Sequence, residues 1–145
     1  MAMKIKKQHD DAASLLQVAG IRPTRQRMAL AQLLFDGCDK HMTAEQLYAA
    51  ARKKKVRLSL ATVYNTLHQF TGASLLRQVV IDSSRIYFDT NCHAHHHFFD
   101  EATGRLHDIP AHDVRIARLP KVPPGRKLDR VDVIIRLRSA SRESA

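Results

Sequence analysis

Four of the nine histidines of this 145-residue chain fall within five consecutive positions, at His93, His95, His96 and His97, and His107 and His112 follow within fifteen residues. Imidazole is the commonest transition-metal ligand and is largely neutral near pH 7, so such a cluster can take up a metal ion without first losing a proton. If residues 93–99 are extended, alternation puts His93, His95, His97 and Phe99 on one face and Ala94, His96 and Phe98 on the other. One stretch then serves two sites. Cys92 stands beside His93, but the only other cysteine is Cys38 and there is no C-x-x-C pair, a pattern of two separate thiols rather than a disulfide framework.

No carboxylate stands in a general-base motif such as H-E-x-x-H, and no nucleophile is grouped with a base. The histidines therefore read as a binding site, and the chain as no enzyme. A metal-dependent hydrolase and a His-rich metal or haem carrier are the alternatives. A carrier leaves the basic residues without a purpose. The formal net charge is +10; residues 1–72 hold 12 Lys and Arg against 5 Asp and Glu, whereas residues 73–145 hold 12 against 9. That asymmetry is the electrostatic footprint of a nucleic-acid-binding half joined to a half with another task, and double-stranded DNA is the expected partner. No apolar run approaches the roughly eighteen residues that span a bilayer. The basic start lacks the apolar segment of a signal peptide, so a cytoplasmic protein without membrane contact is expected.

Four helices and a hairpin must hold the basic half together. Residues 9–19 place Ala12, Leu15, Leu16 and Ala19 at helical spacing before Gly20. Thr24 can cap a second helix with the stripe Met28, Leu30, Leu33 and Leu34, and Thr43-Ala44-Glu45-Gln46 has the form of a capping box opening a third. Ser59 can cap a fourth, from Leu60 to about Phe70, closed by Gly72. The β-rich runs 75–81 and 85–89, separated by Asp82-Ser83-Ser84, form a hairpin. Helices followed by a hairpin describe a winged helix-turn-helix over residues 1–90, whose last helix enters the major groove. Thr62, Tyr64, Asn65 and Thr66 lie on or near the face of that helix left by Val63 and Leu67. Asn bonds adenine bidentately, and Thr and Tyr offer apolar surface to a thymine methyl.

Residues 91–145 read as a small α/β domain for sensing and dimerisation, which makes the whole an α+β protein. Strands are expected at 95–101 and 105–109, a short helix at 111–119, and a last strand in which Val131, Val133, Ile135 and Leu137 alternate with Asp132, Ile134, Arg136 and Arg138. Three strands and one helix leave apolar surface uncovered, which predicts a homodimer.

Gly20-Ile21-Arg22-Pro23-Thr24-Arg25-Gln26-Arg27, His41-Met42-Thr43-Ala44-Glu45-Gln46-Leu47-Tyr48, Leu60-Ala61-Thr62-Val63-Tyr64 and the His-rich stretch come in the order and spacing of the ferric uptake regulator family, which the chain resembles over roughly residues 12–138. It looks most like the iron response regulator branch, through Tyr87-Phe88-Asp89-Thr90-Asn91, the triplet His95-His96-His97 and the missing C-x-x-C pair. The resemblance implies a homodimeric repressor-type transcription regulator that binds AT-rich inverted repeats and takes iron or haem as its signal. By position Tyr64 matches a residue that touches thymine, Arg22 one that reaches the minor groove and Arg27 one near the backbone. Asn65 stands where many relatives have Arg.

The resemblance also implies two metal sites. His96 matches a ligand of a site completed by His41, Asp89 and His107, a set of three imidazoles and a carboxylate that suits Zn, Fe(II) or Mn(II) and draws on both halves of the chain. His93 and His95 match ligands of a second site, to which Asp113 or His112 can add a donor. The family's ligand on the last strand aligns with Val131, which cannot coordinate. Haem is implied at the triplet His95, His96 and His97, where an imidazole can ligate iron and Phe98, Phe99 or Tyr87 can contact the macrocycle.

Overall fold

In the computed structural model residues 11–140 are described, and the chain divides into two compact units, Met1–Cys92 and His93–Ala145. The architecture is α+β, with a three-stranded sheet in each unit. Among the described residues no helix is long and apolar enough to cross a membrane.

The first unit is built from four helices, α1 (11–18), α2 (Arg25–Leu34), α3 (Ala44–Lys53) and α4 (Leu60–Gly72). Positions 9 and 10 of the expected first helix lie outside the described residues. Each of the three later helices opens on the cap that its sequence offers. The Thr24 hydroxyl accepts from Arg27 N, and that of Ser59 from Thr62 N at 3.1 Å. Thr43 and Gln46 form a complete capping box, with Gln46 N donating to Thr43 Oγ1 (3.1 Å) and Thr43 N to Gln46 Oε1 (3.0 Å). These bonds satisfy amide groups that a helix N-terminus otherwise leaves without acceptors.

The C-termini follow one pattern. After α1, Ile21 N donates to Leu16 O and Gly20 N to Gln17 O; after α3, Val56 N donates to Ala51 O and Lys55 N to Arg52 O; after α4, Leu75 N donates to Phe70 O and Ser74 N to Thr71 O. This paired bonding is the Schellman motif, which needs one residue in the left-handed region. Gly20 takes it without strain at φ +76°, but Lys55 (57°) and Ser74 (62°) take it with a Cβ. Gly72, expected to stop α4, is its last helical residue, and the turn falls two positions later.

The helices close on a core in which Leu16, Leu30, Leu34, Leu47, Val63, Leu67 and Phe70 are each 1% exposed or less. Behind them lies the sheet β1-β3-β2: β1 (His41–Met42), β2 (Arg77–Asp82) and β3 (Arg85–Asp89), all antiparallel. β3 brings Phe88 into the core, 1% exposed. The turn at Asp82 is held by its carboxylate, which accepts from Ser84 N at 3.0 Å and Arg85 Nε at 2.7 Å and is held well below the usual carboxylate range chiefly by Arg85.

In the second unit β4 (His95–Asp100) is central, paired antiparallel with β5 (Arg105–Pro110) and parallel with β6 (Ile134–Leu137). The helix expected at 111–119 is absent. Only a single 3-10 turn, Ala111–Asp113, forms, and residues 114–133 have no regular structure apart from a turn near Pro124-Gly125. β-Branched Val114 and Ile116 and the nearby Pro120 oppose a helix, and no side chain caps its start. The last strand is also shorter than expected, leaving Val131 and Val133 ahead of it.

Lys55→Gly and Ser74→Gly each remove a Cβ from the left-handed region, and each is expected to stabilise the first unit by about 1 kcal/mol. Chemical denaturation of the full chain checks this; a loss of stability at both positions contradicts the strain assigned to them.

Candidate metal centre

β1 and β3 are in register at His41 and Asp89, which places the His41 Nε2 3.2 Å from Asp89 Oδ2. Asp89 is fully buried, and its Oδ1 accepts from Asn91 N at 2.9 Å. A carboxylate removed from water is costly unless positive charge or donors face it, so this position is made for a cation or a proton donor. The two-residue β1 has few ladder bonds of its own. It is prolonged by Thr90 N donating to Lys40 O (3.1 Å) and by Lys40 N donating to Thr90 Oγ1 (2.9 Å), which hold His41 opposite Asp89.

The second unit carries a denser donor set. On β4, His95 and His97 point to the same face, 5% and 3% exposed, with ring centroids 4.5 Å apart. β5 pairs Asp108 opposite His97, and Asp108 Oδ1 lies 3.5 Å from His95 Nε2 and 3.4 Å from His97 Nε2. The His95 Nδ1 is 2.5 Å from the His93 carbonyl oxygen, which can only accept, so Nδ1 carries a hydrogen and Nε2 is the ring atom turned toward Asp108. A carbonyl-oriented imidazole of this kind is the usual support of a metal-bound histidine. The two Nε2 atoms and the Asp108 carboxylate face one another in an arrangement that a shared proton or a metal cation satisfies. Two imidazoles and one carboxylate suit Zn, Mn(II) or Fe(II).

The expected ligands are distributed differently from the sequence pattern. His41 and Asp89 come together, as do His95, His97 and Asp108. His96 and His107 lie on the opposite face of the β4-β5 sheet, His107 across from Phe98. His96 Nδ1 accepts a hydrogen bond from Val133 N at 3.1 Å, so its lone pair is committed to joining the 131–133 segment to β4. His93 is exposed and contributes its carbonyl. Asp113, exposed in the 3-10 turn, lies 3.4 Å from His112. Asp108 was absent from the sequence-based ligand sets; alternation along β5 read against β4 is the signal that finds it.

Haem fits this arrangement poorly. His95 and His97 are buried with both Nε2 atoms facing Asp108, and no edge of either ring is open to a macrocycle. His96, half-buried, has its Nδ1 engaged.

The expected DNA-reading residues lie in the first unit. Tyr64 is 36% exposed and Asn65 exposed, while Thr62 is half-buried and 3.0 Å from the Ser59 hydroxyl; Thr66, expected on the free face, is instead buried with Val63 and Leu67. Arg27 Nη1 donates to Arg22 O at 2.9 Å, which joins the two arginines at the start of α2.

The two faces of β4 separate by mutation. His95→Ala with His97→Ala is expected to lower bound Zn or Mn, measured by mass spectrometry of the purified protein, while His96→Ala keeps the metal and loses roughly 1 kcal/mol of stability with the Val133 bond. Metal loss from His96→Ala alone reverses the assignment.

The Ferric uptake regulator family model matches residues 18–132. The chain is 32% identical over 100 residues to the peroxide-responsive repressor PerR of Staphylococcus epidermidis, covering 69% of this chain and 66% of that protein. It is 32% identical over 105 residues to PerR of Staphylococcus aureus strain Mu50, covering 72% and 70%. Among solved structures, the ferric uptake regulator of Pseudomonas aeruginosa with manganese superposes with a TM-score of 0.66 at 26% identity, over 88% of this chain and 96% of that one. The chain belongs to the ferric uptake regulator family of metal-responsive transcriptional regulators, and is not an enzyme.

Proposed function

We propose that this chain is a dimeric iron-responsive regulator that reads AT-rich inverted repeats through α4, its DNA affinity set by a divalent metal at the His-rich unit. The observation that carries the reading is the convergence of the buried His95 and His97 rings on the Asp108 carboxylate. The Pseudomonas aeruginosa relative was solved with manganese, and the staphylococcal relatives are named for a peroxide response. A two-His, one-carboxylate face with open coordination positions suits Fe(II), a metal able to serve either signal.

The polypeptide supplies the coordinating groups and the means of holding them. His93 O fixes the His95 tautomer, β5 delivers Asp108, and burial of the rings excludes competing water. His41 and Asp89 form the corresponding donor pair of the DNA-binding unit. A bound metal would supply positive charge at these donors. It changes DNA affinity only through different affinities for the two conformational states, typically by about 1–3 kcal/mol. The dimer accords with exposed apolar side chains outside the core of the second unit, Ile116, Leu119, Leu128, Ile135 and Leu137. Membership of the iron response regulator branch accords with the triplet, the missing C-x-x-C pair and Val131, but the buried His95 and His97 give haem no role in this mechanism.

On a palindromic AT-rich duplex followed by fluorescence anisotropy, chelation of the wild-type protein is expected to shift affinity roughly 5- to 150-fold, and readdition of Mn(II) or anaerobic Fe(II) to restore it. Asp108→Ala should bring the two conditions together. Equal affinity of the wild type with and without metal overturns the reading.

A further inference from the structure

Within the first unit, the tyrosine expected to meet DNA is held from two sides. Its hydroxyl donates to Glu45 Oε1 at 2.6 Å. Its ring stacks on that of His68, centroids 6.5 Å apart and planes 25° from parallel, and His68 in turn meets the buried Phe88 edge-on at 6.1 Å. Glu45 stands in the first turn of α3, where the helix dipole favours its charge and the capping box of Thr43 and Gln46 makes the backbone rigid. Neither contact belongs to the core of the unit. Tyr64 and Glu45 are both exposed, so a hydrogen bond there adds little stability and is kept for what it does to the tyrosine.

The geometry points to Glu45 as the residue that positions Tyr64 and determines which base pair it accepts, an inference that rests on the DNA-reading role proposed above for α4. A free phenol is both donor and acceptor and meets any base edge. Tyr64 has already given its proton to Glu45, and the carboxylate has no proton to give. The pair therefore presents an apolar ring beside oxygen atoms that only accept. In the major groove each pair offers one amino donor, on adenine or on cytosine, but only an A·T pair adds the thymine methyl, and guanine offers two acceptors. The accepting oxygens oppose the guanine edge and can meet the amino donor of adenine or cytosine, while the ring they hold in place finds a methyl only at A·T, which is the pair the combination favours. Glu45 also places a negative charge near the phosphates, so it lowers affinity for all sequences while raising selectivity among them. The phenol ionisation of Tyr64, pushed up chiefly by the hydrogen bond to Glu45, reports the contact without DNA.

The test replaces each A·T pair of an AT-rich half-site in turn by G·C, and each thymine by deoxyuridine, and measures affinity by anisotropy for the metal-loaded wild type and for Tyr64→Ala, Glu45→Ala and Glu45→Gln. The wild type is expected to prefer A·T roughly tenfold at one position per half-site and to sense the thymine methyl there. Glu45→Ala loses both preferences and binds random duplex as well as or better than the wild type, which a folding defect cannot produce. Glu45→Gln keeps the methyl preference, because its carbonyl still receives the phenol proton, but its new amide donor relaxes rejection of guanine. Phenolate absorbance should move to lower pH in Glu45→Ala. If Tyr64→Ala keeps every preference, the reading role of Tyr64 falls and this inference with it. If Tyr64→Ala abolishes a preference that Glu45→Ala leaves intact, the role of Glu45 alone is overturned.

Discussion

A carboxylate held away from water must be met by positive charge or by hydrogen-bond donors, and the first unit of this chain is built around that constraint. Asp89 is fully buried at the end of β3, and the short strand β1 exists chiefly to bring His41 to it. In the second unit Asp108 faces the Nε2 atoms of His95 and His97, two rings almost without solvent contact. Ionisable groups at either place cost desolvation that an apolar pair would not. Retaining such groups makes sense where the cation is the signal. Local structure serves the same end, since the His93 carbonyl sets the tautomer of His95 and the β4-β5 register decides which carboxylate faces the rings.

The first unit answers a different demand, the rigidity of α4 that its proposed role in reading DNA requires. Three helices begin on side-chain caps and three end in Schellman turns, so few helix-end amides or carbonyls rely on solvent. The apolar faces then lock around Leu47, Leu67 and Phe70. What remains exposed on α4, Tyr64 and Asn65 among it, is carried on a scaffold whose positions are determined by packing rather than by loops.

Those helices were legible because their signals are local. Thr24, Thr43 with Gln46, and Ser59 announce their helices within four residues, and the spacing of Leu30, Leu33 and Leu34 names the inner face. The division of residues 93–97 into two faces was legible for the same reason, a period of two. Which face carries the metal donors was not. That choice depends on Asp108 arriving opposite His97 and on Val133 N taking the Nδ1 lone pair of His96, contacts between residues 11 and 37 positions apart that no local pattern encodes. The expected helix at 111–119 failed from the opposite cause: apolar spacing suggested it, but β-branched residues and a missing cap outweighed three apolar positions in an isolated segment.

The chemistry of the donors narrows the metal further than their number does. Cys38 and Cys92 are both exposed, and neither belongs to the His95, His97 and Asp108 set, so this centre offers imidazole nitrogen and carboxylate oxygen without thiolate. Soft ions such as Cu(I) gain little from that set, while Zn, Fe(II) and Mn(II) all accept it. Among these three, intrinsic affinity favours Zn, so a response to iron or manganese must come from geometry. Three donors on one side leave positions open for an ion that wants five or six ligands, whereas a closed tetrahedral cage would select Zn. The arrangement of His95, His97 and Asp108, two rings on one strand and a single carboxylate from its neighbour, is open in that sense. Selectivity then rests on keeping it from closing, a task for the strand register that holds Asp108 and for the His93 carbonyl that holds His95.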